Sequence, residues 1–270
     1  VKVVCAGDCG VDRYVDLGID RPGGKTLNVA ATARQLFPRS TDVSVVTALG
    51  TDEEARFVAA AIRDHGLTGS VVHRRGRTSV QQIDRSPAGE KIFLEYDQGV
   101  LGGYRPDPAA RELIAAADLL VTPLYVEIHG FFDSVIATPS AGLRVVDFSD
   151  LSDFDSDPAI VDRYADRFDI GFFGLSLAAP NLIASLEVLA RLRRKLFIVT
   201  LGADGSLAVG GADRIRCQAV PVPAVVDTTG AGDVFAAGFL REYCTSRDVA
   251  ASLRAGSLVA AESIQRIGAF

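Results

Sequence analysis

Short, mainly apolar runs, each about a strand in length, recur along this chain and alternate with longer segments of helical pattern. The runs are 2–6, 43–49, 118–122, 143–148, 169–173 and 196–201. A strand whose apolar residues fall on both alternating sides has no face to turn to water, so both faces of its sheet must be covered. Helical patterns fill most intervals, at 27–36, 52–65, 108–117, 125–137 and 180–194, with two more at 233–244 and 247–266. Strands alternating with helices predict a doubly wound α/β fold, a mostly parallel sheet flanked by helices. With 270 residues, 48% of them hydrophobic, the chain can bury one substantial core.

Three segments follow a different rule. Residues 11–18, 78–83 and 91–96 alternate apolar and polar, as strands with one wet face do. Ser86-Pro87-Ala88-Gly89 reads as the hairpin turn between the last two, and Arg21-Pro22-Gly23-Gly24 as a turn after the first. Two-sided strands set among buried ones predict a small β-sheet acting as a lid, with segments near 11–22 and 77–98, on a single domain spanning 1–270. Residues 206–209 and 214–220 read as an antiparallel edge, and the apolar run 219–226 as strand-like.

Composition removes several functions. A net charge of −6 and a pI near 5.1 argue against a nucleic-acid partner, which calls for a basic face. Cys5, Cys9, Cys217 and Cys244 form neither a CxxC pair nor a metal-ligand spacing, and read as reduced thiols. No apolar run approaches the ~18 residues of a membrane span, and no signal peptide precedes the first strand, so a cytoplasmic protein is expected. His65, His73 and His129 are widely spaced and sit in no hydrolase or zinc pattern. Gly24-Lys25-Thr26 is no P-loop, because Ile19 stands where its first glycine belongs. Gly230-Ala231-Gly232 is no dinucleotide fingerprint, because the third glycine position is Phe235.

One turn carries a positive signal. Asp227-Thr-Thr-Gly-Ala-Gly-Asp233 leads into a helical run, and a helix beginning near Ala231 would aim unpaired N–H groups and the positive end of its dipole at that turn. Such a place suits an anion, phosphate above all. Asp233, in the first helical turn, would sit beside the bound anion, with a carboxyl pKa depressed by the helix N-terminus.

The stretch DTTGAGDVFAAGFL from Asp227 to Leu240 resembles the C-terminal signature of the ribokinase/PfkB sugar kinases. Gly23-Gly-Lys-Thr-Leu-Asn28-Val-Ala30 resembles the sugar-binding turn of the same family, and Val199-Thr-Leu-Gly202-Ala-Asp-Gly205 its nucleotide-binding turn. The three occur in the family's order. The resemblance implies a ribokinase-like fold and transfer of the γ-phosphoryl of ATP to a sugar hydroxyl, with Mg²⁺ on the phosphates. It implies that Asp233 orients the acceptor hydroxyl and takes its proton, while Gly230, Ala231 and Gly232 form the anion hole. Asp12, Gly23, Gly24 and Asn28 would meet the sugar. Thr200, Gly202, Gly205, Gly232 and Ser257 would meet ATP, Ser257 standing where relatives often carry Asn. Asp227 and Thr229 match positions that hold a monovalent cation in many members, which makes K⁺ a candidate activator; the sequence ends at Phe270, ahead of a residue that helps complete that site elsewhere.

The segments GDCGVDRYVDL, IFLEYDQGVL, VVDFSD and SIQRIGAF resemble, within the family, the bacterial fructoselysine kinases. That likeness implies a fructosamine substrate, phosphorylated at O6 of fructoselysine. Kinases of a plain ketohexose, of ribose or of a nucleoside, and a catalytically silent sugar-binding homologue, are the alternatives. Gln81, Glu95 and Tyr96 are lid residues that could face the sugar or its amino-acid substituent, and a glutamate could pair with a lysine ammonium. The family's NxxE motif is missing, with Gly174-Leu-Ser-Leu-Ala in its place, which leaves Asp147 or Asp150 as candidates to meet Mg²⁺ through water. The lid is also a candidate homodimer contact, since small two-sided sheets leave apolar surface exposed.

Overall fold

The computed structural model describes residues 1–86, 91–211 and 213–270. The first part of the chain forms β1 (Lys2–Ala6), β2 (Gly10–Tyr14), β3 (Ile19–Gly23), α1 (Lys25–Leu36), β4 (Asp42–Leu49) and α2 (Glu53–Asp64). Then come β5 (Thr68–His73), β6 (Val80–Arg85), β7 (Lys91–Asp97), α3 (Pro108–Ala115), β8 (Leu119–Pro123) and α4 (His129–Ile136). β9 (Leu143–Asp147), α5 (Ala159–Tyr164), β10 (Ile170–Gly174) and α6 (Pro180–Arg193) follow. The last part holds β11 (Leu196–Thr200), β12 (Ser206–Gly210), β13 (Asp213–Cys217), α7 (Ala231–Ser246) and α8 (Val249–Ser263).

Among the described residues nine strands make one sheet, in the order β13-β12-β11-β10-β9-β8-β1-β4-β5. Its pairs are parallel except at β11–β12 and β12–β13, where the chain turns back on itself. Successive residues of β1 go to opposite sides. Val3 and Cys5 join the core built on α1 and α7, with Leu27, Ala30 and Phe239. Val4 and Ala6 join Ile114 and Phe131 of α3 and α4 on the other side. Toward the β11 end, Val146, Phe173 and Val199 pack with Val161 of α5 and Leu186 of α6. Burial on both faces is what the mainly apolar runs require.

Strand β1 lies between β8 and β4, so the chain winds first toward β5 and then back toward β11. Such a reversal opens a crevice beyond the carboxyl ends of the strands, where open α/β sheets receive ligands. The second sheet, β3-β2-β6-β7, leaves from this point, because β2 begins a few residues after β1 ends. Asp12, Gln81 and Tyr96 stand in register across β2, β6 and β7 and share one face; Arg13, Gln82 and Glu95 share the other.

Several local expectations are corrected. The turn expected at 21–24 lies at 15–18, and β3 carries Pro22, which an edge strand tolerates. Strand β2 is buried rather than half exposed, Asp12 included, because both of its faces meet protein. β5 and α5 form where no element was expected. The run 219–226 forms no strand, since Pro221 and Pro223 have no N–H to give a ladder. The hairpin turn expected at 86–89 falls mainly on 87–89, outside the described residues. Among the described residues no helix is long and apolar enough to cross a membrane. All four cysteines are free.

Candidate active site

The crevice is assembled from two helix starts and the ends of three strands. At the first helix start, space demands glycine. A Cβ on Gly23 would lie 2.2 Å from the Asp12 carboxyl carbon, and one on Gly24, at φ +94°, would lie 2.6 Å from the Asp8 carbonyl oxygen. With no side chains there, α1 begins hard against the end of β1, and the Lys25 N–H donates to Asp8 Oδ2 at 3.0 Å. Lys25 and Asn28, one turn apart, then share a helix face. Lys25 Nζ lies 3.2 Å from Asp147 Oδ2, at the end of β9, and 3.6 Å from Asp233 Oδ1. Asn28 Nδ2 donates to Asp233 Oδ2 at 2.8 Å, while Asn28 Oδ1 is buried with no donor.

At the second helix start Gly230 adopts φ +71°, and a Cβ there would sit 2.5 Å from Ala269 Cβ and 2.9 Å from Asn28 Nδ2. This close approach seats the α7 N-terminus over α1. The Ala231 N–H turns back to Thr228 O at 3.2 Å and the Val234 N–H to Gly230 O at 3.0 Å. Between them, the N–H groups of Gly232 and Asp233 have no acceptor among the described residues, as the first turn of a helix leaves them. An anion can be held there.

The electrostatics reverse one expectation. Asp233 is 4% exposed, and burial pushes its carboxyl above the usual range, with Lys25 opposing and Asp147 adding to the rise. Desolvation outweighs the helix N-terminus that was expected to depress it, which makes Asp233 a stronger base. Burial, with repulsion from Asp233, raises Asp8 to about 6. Burial, with Asp8, Asp233 and Asp227 nearby, raises Asp12 to about 8. Asp12 accepts no hydrogen bond from the described residues, so its oxygens remain free for donors from outside. Burial would drive the Lys25 ammonium down, but Asp147 and Asp233 outweigh it and hold the pKa above the usual range. Lys91 is exposed overall, its ammonium 4.8 Å from the Phe93 ring centroid, and desolvation together with Lys25 lowers its pKa.

Asp12, Gly23, Gly24, Asn28, Gly230, Ala231, Gly232 and Asp233 thus come together. Tyr96 is on the Asp12 face, its hydroxyl 3.1 Å from that of Tyr125. Gln81 shares that face, but its amide is tied down by donating to the carbonyls of Gln82 and Glu95 at 2.9 and 3.0 Å. Glu95 is not brought to the site. It lies on the far face, exposed, accepting from Gln82 Nε2 at 3.0 Å. Thr200, Gly202 and Gly205 sit at the carboxyl end of β11, Thr200 Oγ1 donating to Phe173 O at 3.3 Å. Ser257, on α8, lies 3.8 Å from Cys217 Sγ. At the other end of the anion-hole turn, Asp227 accepts from Tyr14, Thr229 and Gly268.

Sequence reasoning gave no role to Asp8, Tyr14, Lys25, Lys91 or Tyr125. Asp8 had a signal, a carboxylate closing a buried strand, and Lys25 stood between Gly24 and Asn28. The other three are placed by tertiary structure alone. For a divalent metal, no group of three potential ligand side chains forms among the described residues. Asp147 is engaged by Lys25 and by the Ser149 N–H at 2.7 Å, and Asp150 by Ser152. This donor set fits Mg²⁺ that arrives on substrate phosphates and keeps its waters, rather than a resident ion.

Residues 19–137 and 173–270 match the pfkB family of carbohydrate kinases. The chain belongs to this family. The kinase is 27% identical over 276 residues to a fructosamine kinase of Bacillus subtilis (strain 168), a match covering 100% of this chain and 93% of that one. It is also 27% identical to the fructoselysine 6-kinase of Escherichia coli (strain K12), over 98% of this chain and 97% of the relative. A ribokinase from Thermotoga maritima superposes with a TM-score of 0.77 at 21% identity, covering 100% of this chain and 94% of that one. The fold is therefore ribokinase-like, as the motifs imply. Homologues of the kinase transfer phosphoryl groups to sugar hydroxyls, and kinases of this family use ATP and generally Mg²⁺.

Proposed function

We propose that this kinase phosphorylates O6 of fructoselysine or a related fructosamine, with ATP as donor and the small sheet as a lid over the sugar. The observation that carries the reading is the buried Asp12 carboxyl, free of hydrogen bonds from the described residues and crowded by Asp8, Asp227 and Asp233. Burial and crowding of these carboxyls raise Asp8, Asp12 and Asp233, so a cationic group entering beside them would favour their ionised forms. A sugar bearing an amine carries the compensating charge as well as the hydroxyl donors that Asp12 lacks. The names of the two full-length relatives point the same way.

In the reaction the acceptor hydroxyl lies against Asp233, whose raised pKa suits it to receive the proton as the hydroxyl attacks. Asn28 fixes Asp233 Oδ2, and its own Oδ1 accepts from a second sugar hydroxyl. The N–H groups of Gly232 and Asp233, with Gly230 and Ala231 shaping their turn, face the transferring phosphoryl, where charge spreads over its equatorial oxygens. Lys25 carries positive charge to the same place. Thr200, Gly202, Gly205 and Ser257 line the nucleotide end. Mg²⁺, when bound on the phosphates, neutralises part of their charge. Ile92, Phe93 and Leu94 leave apolar surface on β7, which supports the lid as the meeting place of two copies, a reading that sedimentation tests.

Coupled ADP release, measured with fructoselysine, fructose, ribose and adenosine side by side, tests the substrate. The reading expects the highest kcat/KM with fructoselysine. Preference for a neutral sugar or nucleoside would overturn the substrate, and measurable binding without ADP release from any of them would favour a silent sugar-binding protein.

A further inference from the structure

The segment between β13 and α7 has no regular structure, yet its end is held from several sides. Tyr14, the last residue of β2, donates its hydroxyl to Asp227 Oδ2 at 2.6 Å. The Gly268 N–H donates to the same oxygen at 2.9 Å, and the Thr229 N–H to Oδ1 at 2.9 Å. Arg85 Nη1, from β6, donates to Val226 O at 3.2 Å, and the Lys91 N–H, from β7, to Thr228 Oγ1 at 3.1 Å. Ala269 packs so closely on Gly230 that no other side chain fits between them. Three strands of the small sheet and residues 268–269 therefore all fasten the turn that forms the anion hole.

The family likeness assigns Asp227 and Thr229 to a monovalent cation, and the contacts here do not fit one. An alkali cation needs several oxygens with free lone pairs. Asp227 already receives three protein donors, two of them on one oxygen. Among the side-chain oxygens beside it, Thr229 Oγ1 is a neutral hydroxyl buried without a partner. Tyr14, Gly268 and Thr229 each donate a hydrogen bond to the Asp227 carboxylate, which favours its ionised form. The charge is stabilised by hydrogen bonds, with no cation required.

We propose that Tyr14 is a positioning residue that, with the Gly268 N–H, holds Asp227 in place of a monovalent cation and so ties the small sheet to the anion-hole turn. The inference rests on the kinase reading. Tyr14 touches neither sugar nor phosphoryl; it acts through Asp227 and the backbone up to Gly232. Closing the sheet over a sugar and ordering the anion hole then become one event.

The test has three arms, with fructoselysine as the probe. First, the unaltered kinase is assayed in KCl and in N-methylglucamine chloride at equal ionic strength, and its thermal midpoint is read in both. Equal kcat and equal midpoints are expected; activation or stabilisation specific to KCl would overturn the proposal. Second, Tyr14→Phe keeps the buried ring and removes one hydrogen bond to a carboxylate. It should lower kcat roughly ten- to hundredfold while sugar KM moves by less than about threefold. Third, exchange of the Thr229 and Ala231 amides, each hydrogen-bonded within the turn, should quicken in Tyr14→Phe, with the β1 and β4 amides unchanged. A variant with wild-type kcat and unchanged exchange would overturn the proposal. Should fructoselysine not turn over, the substrate reading fails on its own, while the midpoint and exchange arms still decide the role of Tyr14. Should Tyr14→Phe not fold, the cation arm decides with the unaltered protein.

Discussion

Asp227 and Asp233 stand at the two ends of one turn, 1% and 4% exposed, yet they are held in opposite ways. Burial works against the charge of both. At Asp227 the donors Tyr14, Gly268 and Thr229 prevail, and the carboxyl is held low. At Asp233 burial prevails with help from Asp147, against Lys25 and Asn28, and the carboxyl is held high. Depth in the protein therefore does not fix what a carboxylate does. The balance of donors against neighbouring carboxylates makes one a strut and leaves the other able to take a proton.

The Asp233 end is more sensitive to change than its surroundings. Replacing Lys25 with Met removes the ammonium between Asp147 and Asp233 and leaves two buried carboxylates facing each other. A fall in kcat of roughly 10²–10³ is expected, as for loss of a charge-stabilising donor. The acid limb of the kcat–pH profile should move to higher pH, because Asp233 loses the partner that favours its ionised form. An unmoved profile would show that Lys25 does not act on Asp233.

Asp12 sharpens the contrast, as a carboxyl with no donor among the described residues, crowded by other carboxyls that Lys91 offsets only in part. Asp12→Asn should raise sugar KM roughly five- to hundredfold, the effect of unpairing a buried polar contact, with kcat changed far less. Asp12 also makes the ligand-free protein sensitive to pH. Its folded pKa of about 8 lies above the ordinary value of about 3.9, so the folded state holds more protons across that window. Stability must then fall as pH rises from about 4 to about 8, and Asp12→Asn should flatten that slope. Urea unfolding of both proteins across the window measures it, and parallel slopes would contradict the assignment.

The smallest effect is expected at Glu95. It lies on the far face of the small sheet, so Glu95→Gln should leave KM for fructoselysine unchanged. A rise of more than roughly threefold would bring it back to the sugar.

Much of the frame was legible in the sequence because both faces of the sheet are buried. Runs such as 43–49 and 196–201 carry that fact residue by residue. The two glycine turns at the starts of α1 and α7 were legible for a similar reason, since Gly23, Gly24 and Gly230 leave no room for a side chain. The small sheet was read less well. Its faces are set by a register that pairs Asp12 with Gln81 and Gln81 with Tyr96, and a shift of one residue exchanges the two faces. Glu95 was assigned to the wrong face on that account. The Lys25–Asp147 pair and the Tyr14–Asp227 bond join residues far apart in the chain, and no local pattern announces them. The pKa of Asp233 was misjudged because the helix N-terminus shows in the sequence, whereas the burial that overrides it does not.

The central claim is that Asp233 is the group that takes the proton, with the rest of the turn built around it. Sugar binding by calorimetry and ADP release, measured together on Asp233→Asn, test it most directly. The account predicts sugar affinity close to wild type with kcat lowered by roughly 10²–10⁴, the range for loss of a general base. A variant that binds the sugar and turns over near the wild-type rate would contradict it.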